Sequence, residues 1–234
     1  MGKAWIRQET KKDPVAEAVD RAVSAARSNP QKAAGAGVGV LVAALAVVYF
    51  VSRYFEIRNE AWAQLAAAES QLRGGQNGIP QLDDVVNRFR NAPASDYASM
   101  LKGDILYFNG KYDDAATVYR EALAGARKSA HPFLLCDLGM ALEAAGKSAE
   151  AADQLKSFID QYPDSFLAPE AHYALARALE MQGSKDAARG AYEKVALLYP
   201  DTSWAQAAGE KAKALGGAAP ANVPPLLKAP GPKK

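Results

Sequence analysis

The side chains best suited to catalysis in this chain are acidic residues spaced along stretches of helical pattern. Asp137 with Glu143, and Glu170 with Glu180, could form carboxylate pairs of the kind used in general acid–base catalysis. On helices, such residues usually lie on solvated faces. The sequence has no Gly-rich phosphate loop, no nucleophile elbow and no ligand set with metal spacing. We therefore expect a protein that is not an enzyme and that uses no cofactor or metal.

The single cysteine and the two histidines point the same way. Cys136 has no partner for an intramolecular disulfide and excludes a Cys-based zinc site. It is expected to be a small thiol that is buried or faces a groove. His131, which precedes Pro132, is expected to start a helix, and His172 is expected to pack between helices. The 28 Lys and Arg residues against 26 Asp and Glu residues give a net charge of +2, too balanced for a nucleic-acid-binding domain.

An uncharged segment near the N-terminus predicts a membrane span. Residues 33–52 carry no charge, with Lys32 at one end and Arg53 at the other. A helix of 20 residues is about 30 Å long, which matches the hydrocarbon core of a bilayer. We predict a transmembrane helix over 33–55, preceded by a charged leader over 1–32.

A cleaved signal peptide is the alternative interpretation of this segment. Ala61-Trp62-Ala63 resembles a cleavage motif, but the charged leader and the apolar stretch are both too long for a signal peptide. An uncleaved anchor is therefore predicted. The leader carries seven cations: Lys3, Arg7, Lys11, Lys12, Arg21, Arg27 and Lys32. The positive-inside rule then favours a cytoplasmic N-terminus, although within 20 residues of the span the cations number only three before it and two after it.

Small residues recur along one face of the predicted span. Gly35, Gly39 and Ala43 are four residues apart, a spacing that lets two membrane helices approach closely. This stripe predicts a possible homodimer through the span. Glycine and alanine are also common in membrane helices that do not pair, and the spacing alone leaves that alternative open.

The leader contains a short amphipathic pattern. Asp13-Pro14 is typical of a helix N-terminus and Asn29-Pro30 of a helix end. Small apolar residues recur between them at helical spacing: Val15, Val19, Ala22, Val23 and Ala26. The predicted helix could contact a partner, lie on the inner leaflet or serve as a spacer.

Internal periodicity organises the rest of the chain. Gly110, Gly146 and Gly183 are 36 and 37 residues apart. Each is followed after five residues by an alanine and after nine by a large side chain: Ala115 and Tyr119, Ala151 and Leu155, Ala188 and Tyr192. This pattern predicts pairs of helices joined by a turn in which glycine adopts the left-handed conformation. The alanine would allow a close helix crossing, and the large residue would fill the gap between neighbouring repeats.

Tyr-Pro-Asp-Ser/Thr sequences mark the repeat ends. Tyr162-Pro163-Asp164-Ser165 and Tyr199-Pro200-Asp201-Thr202 are 37 residues apart. Proline is expected to end one helix, and Ser165 or Thr202 to cap the next.

These residues resemble the tetratricopeptide repeat, whose units are helix pairs of about 34 residues. The second repeat carries the pattern most fully: Pro132, Leu135, Leu138-Gly139, Leu142, Ala151, Leu155, Phe158 and Pro163. The resemblance implies an all-α fold, with a single transmembrane helix followed by an α-solenoid over 56–215. Its repeats are predicted at about 95–128, 132–165 and 169–202, with a cap helix at 203–215.

Atypical segments flank these repeats. Large residues continue the helical pattern beyond the span: Phe55, Trp62, Leu65, Glu69 and Leu72. After Gly74-Gly75, a further helix is predicted at about Pro80–Arg90. Residues 216–234 contain five prolines and little to bury, and they are predicted to be disordered.

Tetratricopeptide arrays bind partners on a concave wall formed by the first helix of each repeat. Carrying that geometry over nominates these groove residues: Tyr97, Met100, Asp104, Tyr107, Phe108, Phe133, Met140, Tyr173 and Arg177. The first helices also place Cys136, Glu143, Glu170, Glu180 and Met181 on this predicted wall. The aromatic and methionine content suits a hydrophobic or unfolded segment, unless several of these side chains pack against the next repeat instead.

The charged leader, the single span and the Tyr-Pro-ending repeats together resemble the bacterial ancillary SecYEG translocon subunit family. The similarity covers roughly residues 10–215, and the repeat domain of that family is shared with cell-division coordinator proteins. The resemblance implies an inner-membrane protein with a periplasmic repeat domain. Its partners would be translocon subunits, periplasmic chaperones or unfolded clients. The alternative is a scaffold for cell-wall synthesis or outer-membrane assembly.

Overall fold

The computed structural model describes residues 14–216, except for the side chains at positions 14, 15 and 25. Within that range the chain contains helices joined by turns and no strands, which confirms the predicted all-α class. The helices are α1 (Pro14–Ser28), α2 (Pro30–Arg73), α3 (Ile79–Arg88), α4 (Pro93–Phe108), α5 (Tyr112–Gly125), α6 (His131–Ala144), α7 (Ser148–Gln161), α8 (Ala168–Met181), α9 (Lys185–Leu198) and α10 (Ser203–Ala214). The leader before residue 14, including Asp13, and the tail predicted to be disordered lie outside the described residues, except for Gly216.

Proline starts many of these helices. Six of the ten described helices carry proline at their first or second position: α1, α2, α3, α4, α6 and α8. Its missing N–H costs nothing in the first turn, where backbone donors have no partner within the helix. His131 is the first residue of α6, as predicted.

The chain divides into two compact units, residues 1–56 and 57–234. The first contains α1 and the beginning of α2, which are separated only by Asn29. α2 is 44 residues long, and its most apolar 18-residue window has a mean hydropathy of 2.3. By length and composition, it is the one helix in the described part of the chain that could cross a membrane. The helical continuation predicted beyond the apolar segment is confirmed, since α2 ends at Arg73.

The second unit is built from helix pairs joined at the periodic glycines. Gly110, Gly146 and Gly183 have φ angles of 76°, 79° and 76°, in the left-handed region predicted for them. At the first of these turns, the Gly110 N–H donates to the Tyr107 carbonyl and the Lys111 N–H donates to the Leu106 carbonyl, both at 2.9 Å. These bonds satisfy carbonyls that the end of α4 would otherwise leave unpaired.

The large residue after each turn packs first within its own repeat. A Cβ added at Gly103 would lie 2.2 Å from the Tyr119 ring, and one at Gly139 would lie 2.7 Å from the Leu155 side chain. The glycine in the first helix therefore makes room for the large residue of the second helix. The sequence pattern predicted a contact between neighbouring repeats and did not predict this contact inside each repeat.

The core continues from one helix pair to the next. One apolar cluster joins the end of α2 to α3 and α4, and further clusters join α4 to α7, α6 to α8, and α8 to α10. His172 is buried and its ring contacts Tyr199 at 5.6 Å between centroids, as its predicted packing role requires. Each repeat thus buries its faces against its neighbours, as expected of a solenoid.

The two Tyr-Pro-Asp-Ser/Thr turns differ. Thr202 caps α10, because its Oγ1 accepts a hydrogen bond from the Ala205 N–H at 3.3 Å. The cap predicted at Ser165 is wrong, because α8 begins only at Ala168. The Ser165 Oγ instead accepts from the Leu167 N–H at 3.2 Å, inside the turn.

Candidate functional site

The predicted groove residues lie on α4, α6 and α8, the first helices of the three repeats. We call the exposed and half-buried side chains of these three helices the first-helix wall. Its members come from different repeats, so their proximity depends on how the repeats stack.

The N-terminal end of the first-helix wall is aromatic and open. Tyr97 is 48% exposed, and its ring centroid lies 6.2 Å from that of Trp62 on α2. Phe108, at the end of α4, is 84% exposed. An aromatic ring with that exposure contributes little to the fold and is available for contact with another molecule.

The middle of the wall combines one residue from each repeat. Arg177 of α8 forms an ion pair with Glu143 of α6. Both groups act electrostatically on Tyr107 of α4, whose pKa is raised mainly by burial and further by Glu143, while Arg177 lowers it. The Tyr107 ring also meets Tyr112 edge-on, with 5.2 Å between centroids. The stacking of the repeats therefore brings Tyr107, Glu143 and Arg177 close together.

The α6 part of the wall is partly apolar. Phe133 and Met140 are half-buried, and the Phe133 ring lies 5.9 Å from that of Phe166 in the α7–α8 turn. Cys136 is fully buried and packs against α7 and α8, so it does not line the groove. Burial, together with neighbouring carboxylates, raises the pKa of this thiol.

The C-terminal end of the wall is a second aromatic cluster. Tyr173 lies between Tyr192 and Trp204, with ring centroids 5.5 Å and 5.2 Å away. The Arg177 guanidinium lies over the same ring at 5.7 Å, within the range of a cation–π contact. Met181, in the last turn of α8, is 51% exposed.

Three carboxylates, one from each successive repeat, lie near enough for two of them to act electrostatically on the third, Asp137. Burial is the main cause that raises the pKa of Asp137, to about 7, and Asp104 and Glu170 raise it further. Burial also raises the pKa values of Asp104 and Glu170. Asp104 accepts a hydrogen bond of 2.7 Å from the Tyr119 hydroxyl. This row gives the wall an acidic strip between its aromatic ends.

In each carboxylate pair considered for catalysis, one member has a different partner. Glu143 is buried and paired with Arg177, and Glu180 accepts from the Tyr192 hydroxyl at 2.7 Å and pairs with Lys211 at 3.2 Å. These two groove positions are therefore occupied by contacts within the repeat domain. Within residues 14–216, no group of three or more His, Cys, Asp or Glu side chains could hold a metal ion.

The predicted transmembrane packing residues lie in the first unit. Gly35, Gly39 and Ala43 are exposed on α2, and no described atom lies within 4 Å of a Cβ built at either glycine. The described part of a single chain therefore leaves this face of α2 uncovered.

The repeat geometry agrees with a family comparison. A family model for the tetratricopeptide repeat matches residues 64–131 and 136–208, which together are more than half of the chain. The chain belongs to the tetratricopeptide repeat family. No catalytic family matches it, and a search of curated proteins found no relative.

Solved structures with the same fold include other repeat proteins. Two crystal structures of a candidate kinesin light chain from Podosopora anserina, one of them a variant, have TM-scores of 0.55 and 0.54 at 17% identity. They match 68% of this chain and 85% and 86% of their own. A structure described as MamA RS-1, ArsTM double mutant, has a TM-score of 0.54 at 20% identity and matches 67% of this chain and 88% of its own. At these identities the likeness shows the fold alone.

Three aromatic residues that border the first-helix wall were not nominated as groove residues from the sequence. Trp62, Phe166 and Trp204 contact Tyr97, Phe133 and Tyr173 from neighbouring elements. The available indication was a large aromatic residue at a helix start for Trp204 and in a short inter-repeat turn for Phe166, while Trp62 lies inside α2. Groove positions carried over from the first helices alone could not include these rings.

Proposed function

We propose that this protein is a membrane-anchored protein-binding scaffold with a chaperone-like role, associated with the protein translocon and with envelope clients. The observation that carries the proposal is the first-helix wall, where exposed and half-buried aromatic and methionine side chains flank an acidic strip. Such a surface suits a hydrophobic or unfolded protein segment rather than a small substrate. The proposed role is binding without catalysis.

The anchor is proposed to be retained. Ala61 has no exposed surface and belongs to the apolar cluster that joins α2 to α3 and α4. Cleavage after Ala63 would remove this residue and Trp62 from the repeat domain. A cleaved signal peptide is thus disfavoured, because its removal would open the first helix pair.

We further propose a bacterial inner-membrane location with a cytoplasmic N-terminus and a periplasmic repeat domain. The excess of cations before the apolar segment supports this orientation, together with the family resemblance. The exposed stripe of Gly35, Gly39 and Ala43 would allow the spans of two copies to pair.

Photo-crosslinking from the wall tests the groove. A photoreactive residue at Tyr97 or Phe108, both well exposed, should capture translocon subunits, chaperones or nascent envelope proteins in living cells. Lys156, exposed on the second helix α7, is the matched control position. Capture of the same proteins with equal yield from Lys156 would contradict a binding role for the wall.

Substitutions that remove an aromatic side chain from the wall provide a second test of the groove. Tyr107→Ala and Phe133→Ala should reduce partner capture from the neighbouring positions by about tenfold, the effect of losing one aromatic anchor of roughly 1.4 kcal/mol. Circular dichroism must show that the variants remain folded. Unchanged capture by folded variants would remove the groove hypothesis.

A scaffold for cell-wall synthesis or outer-membrane assembly is the alternative, favoured by the Tyr-Pro-ending repeats shared with such relatives. Co-purification in mild detergent separates the two functions. Recovery of translocon subunits supports the first, and recovery of wall synthases without translocon subunits reverses the ranking.

A further inference from the structure

The amphipathic helix α1 has an apolar side that the described chain leaves uncovered. Val19 and Val23 are 54% and 43% exposed, and Ala22 and Ala26 beside them are exposed as well. The opposite side of the helix carries its polar residues: Glu17, Asp20, Arg21, Ser24 and Arg27. The polar side is partly satisfied within the helix, where the Ser24 Oγ donates to the Arg21 carbonyl at 2.9 Å. On the apolar side, the described part of the chain leaves the valine and alanine side chains exposed.

The position of α1 along the chain limits what can cover that side. α1 ends at Ser28 and α2 begins at Pro30, so one residue separates it from the helix that carries the apolar segment. Pro30 lacks the N–H that a continuous helix would need, and it disfavours the helical conformation of the residue before it. The helix is therefore interrupted at Asn29. When α2 spans a bilayer, α1 is held at the membrane surface whether or not it binds there.

The net charge of the N-terminal segment indicates which kind of surface α1 would contact. The first 32 residues carry seven cations and four carboxylates, a net charge of +3. Anionic headgroups attract basic segments within about a Debye length of the surface. Valine and alanine alone would give a free peptide only weak lipid affinity. Because α2 tethers α1 at the bilayer, the effective concentration of lipid around α1 is high. An apolar side with low intrinsic lipid affinity is then sufficient for α1 to bind the surface.

We propose that α1 lies in the headgroup region of an anionic leaflet, with Val19 and Val23 turned toward the acyl chains and Ser24 toward water. The inference rests on the proposed membrane anchor and adds a second, lipid-dependent contact at the N-terminal side of the span. Such a contact would fix the depth and tilt of α2 through the short link at Asn29.

Site-directed spin labelling of the full-length protein tests this contact. Single cysteines are introduced as Val19→Cys, Ser24→Cys or Leu45→Cys in a Cys136→Ala background. Each labelled protein is reconstituted into vesicles of phosphatidylcholine alone or with about 30% phosphatidylglycerol, which supplies the anionic surface charge. Accessibility to oxygen, which partitions into lipid, and to a water-soluble nickel complex then reports the depth of each label.

The label at position 19 should be shielded from the nickel complex about threefold or more relative to position 24 in the anionic vesicles, because the apolar face sits below the headgroups. The shielding should shrink in phosphatidylcholine alone. Equal access at positions 19 and 24 in anionic vesicles, with the position 45 label buried, would overturn the surface contact and leave the anchor standing. A water-accessible label at position 45 would overturn the anchor itself.

A protein contact gives a different result. Shielding at position 19 that is the same in both lipids, with spin–spin broadening that increases with protein density, would mean that α1 pairs with a second copy. That result would overturn the lipid proposal. Val19→Ser with Val23→Ser provides an independent check, since the double variant should lose the lipid-dependent shielding of a label at Ala22→Cys while α1 remains helical.

Discussion

At the residue scale, the proposed groove depends on side chains with partners both in their own repeat and in neighbouring repeats. Tyr119 places its ring on Gly103 and its hydroxyl on Asp104, which links the packing of one repeat to the acidic strip. The carboxylates of Asp104 and Glu170, in the repeats on either side, act electrostatically on Asp137. Packing and electrostatics at these positions can be separated by substitution.

Gly103→Ala should destabilise the repeat domain by about 1–3 kcal/mol, because the added methyl group would overlap the buried Tyr119 ring. The matched control is Gly190→Ala in α9, where no described atom lies within 4 Å of the new Cβ. There the better helix propensity of alanine should give up to about 1 kcal/mol of added stability. Urea unfolding measures both, and equal effects at the two positions would contradict the packing account.

The Asp137 carboxyl should make stability pH-dependent. Its folded pKa of about 7 lies above the unfolded value of about 3.9, so the folded state binds more protons between these values. Stability should fall as pH rises from about 4 to 7 and remain low above that. Asp137→Asn should therefore raise the melting temperature at about pH 8, by a stability gain on the order of 4 kcal/mol, and leave it unchanged at about pH 4. Asp153→Asn on the exposed face of α7 should change neither value.

At the element scale, helix ends differ even where their sequences repeat. Of the two Tyr-Pro-Asp-Ser/Thr turns, only the one ending in Thr202 caps a helix with its side chain. In the other, further residues precede α8, which begins at Ala168. Phe166 is one of them, and its ring contacts Phe133 of the first-helix wall.

Thr202→Ala should cost about 1 kcal/mol, the usual value of an N-cap bond, and the loss should be local to α10. Hydrogen exchange at the Ala205 amide should accelerate about fivefold, since this N–H donates to the lost side chain. Ser165→Ala should accelerate exchange in α8 much less, because Ser165 is not the cap of that helix. Equal acceleration in both variants would contradict the difference between the turns.

At the scale of the whole molecule, the boundary between the two compact units falls within one helix, α2. Residues 30–56 of α2 belong to the first unit, and the remainder of α2 packs into the repeat domain through Ala61, Leu65 and Ala68. The N-terminal helix of the repeat domain is therefore covalently continuous with the proposed anchor. The repeat domain needs the 57–73 part of α2 for its own core.

A chain that starts at Ile57 should fold and unfold at the melting temperature of the repeat domain in the intact protein. A chain that starts at Gln64 should be less stable by about 1–2 kcal/mol, or a few degrees, because it lacks buried Ala61 and the Trp62–Tyr97 contact. Differential scanning calorimetry compares them. Equal melting temperatures would show that Ala61 and Trp62 are dispensable and would reopen the signal-peptide interpretation.

The fold, and the helices that carry the proposed groove residues, could be predicted from the sequence because they depend on local, periodic constraints. Gly110, Gly146 and Gly183 meet a backbone requirement that few other residues can meet, so their spacing predicts the turns. The uncharged length of residues 33–52 similarly predicts a helix able to span a bilayer.

Only the tertiary structure decided which of these side chains meet. Arg177 pairs with Glu143, Cys136 is covered by α7 and α8, and Asp104 and Glu170 act electrostatically on Asp137. These contacts join residues that are distant from one another in the sequence. They depend on the rotation of each repeat against the next, which is set by the summed packing of many side chains, whereas periodicity reports only what each repeat requires locally.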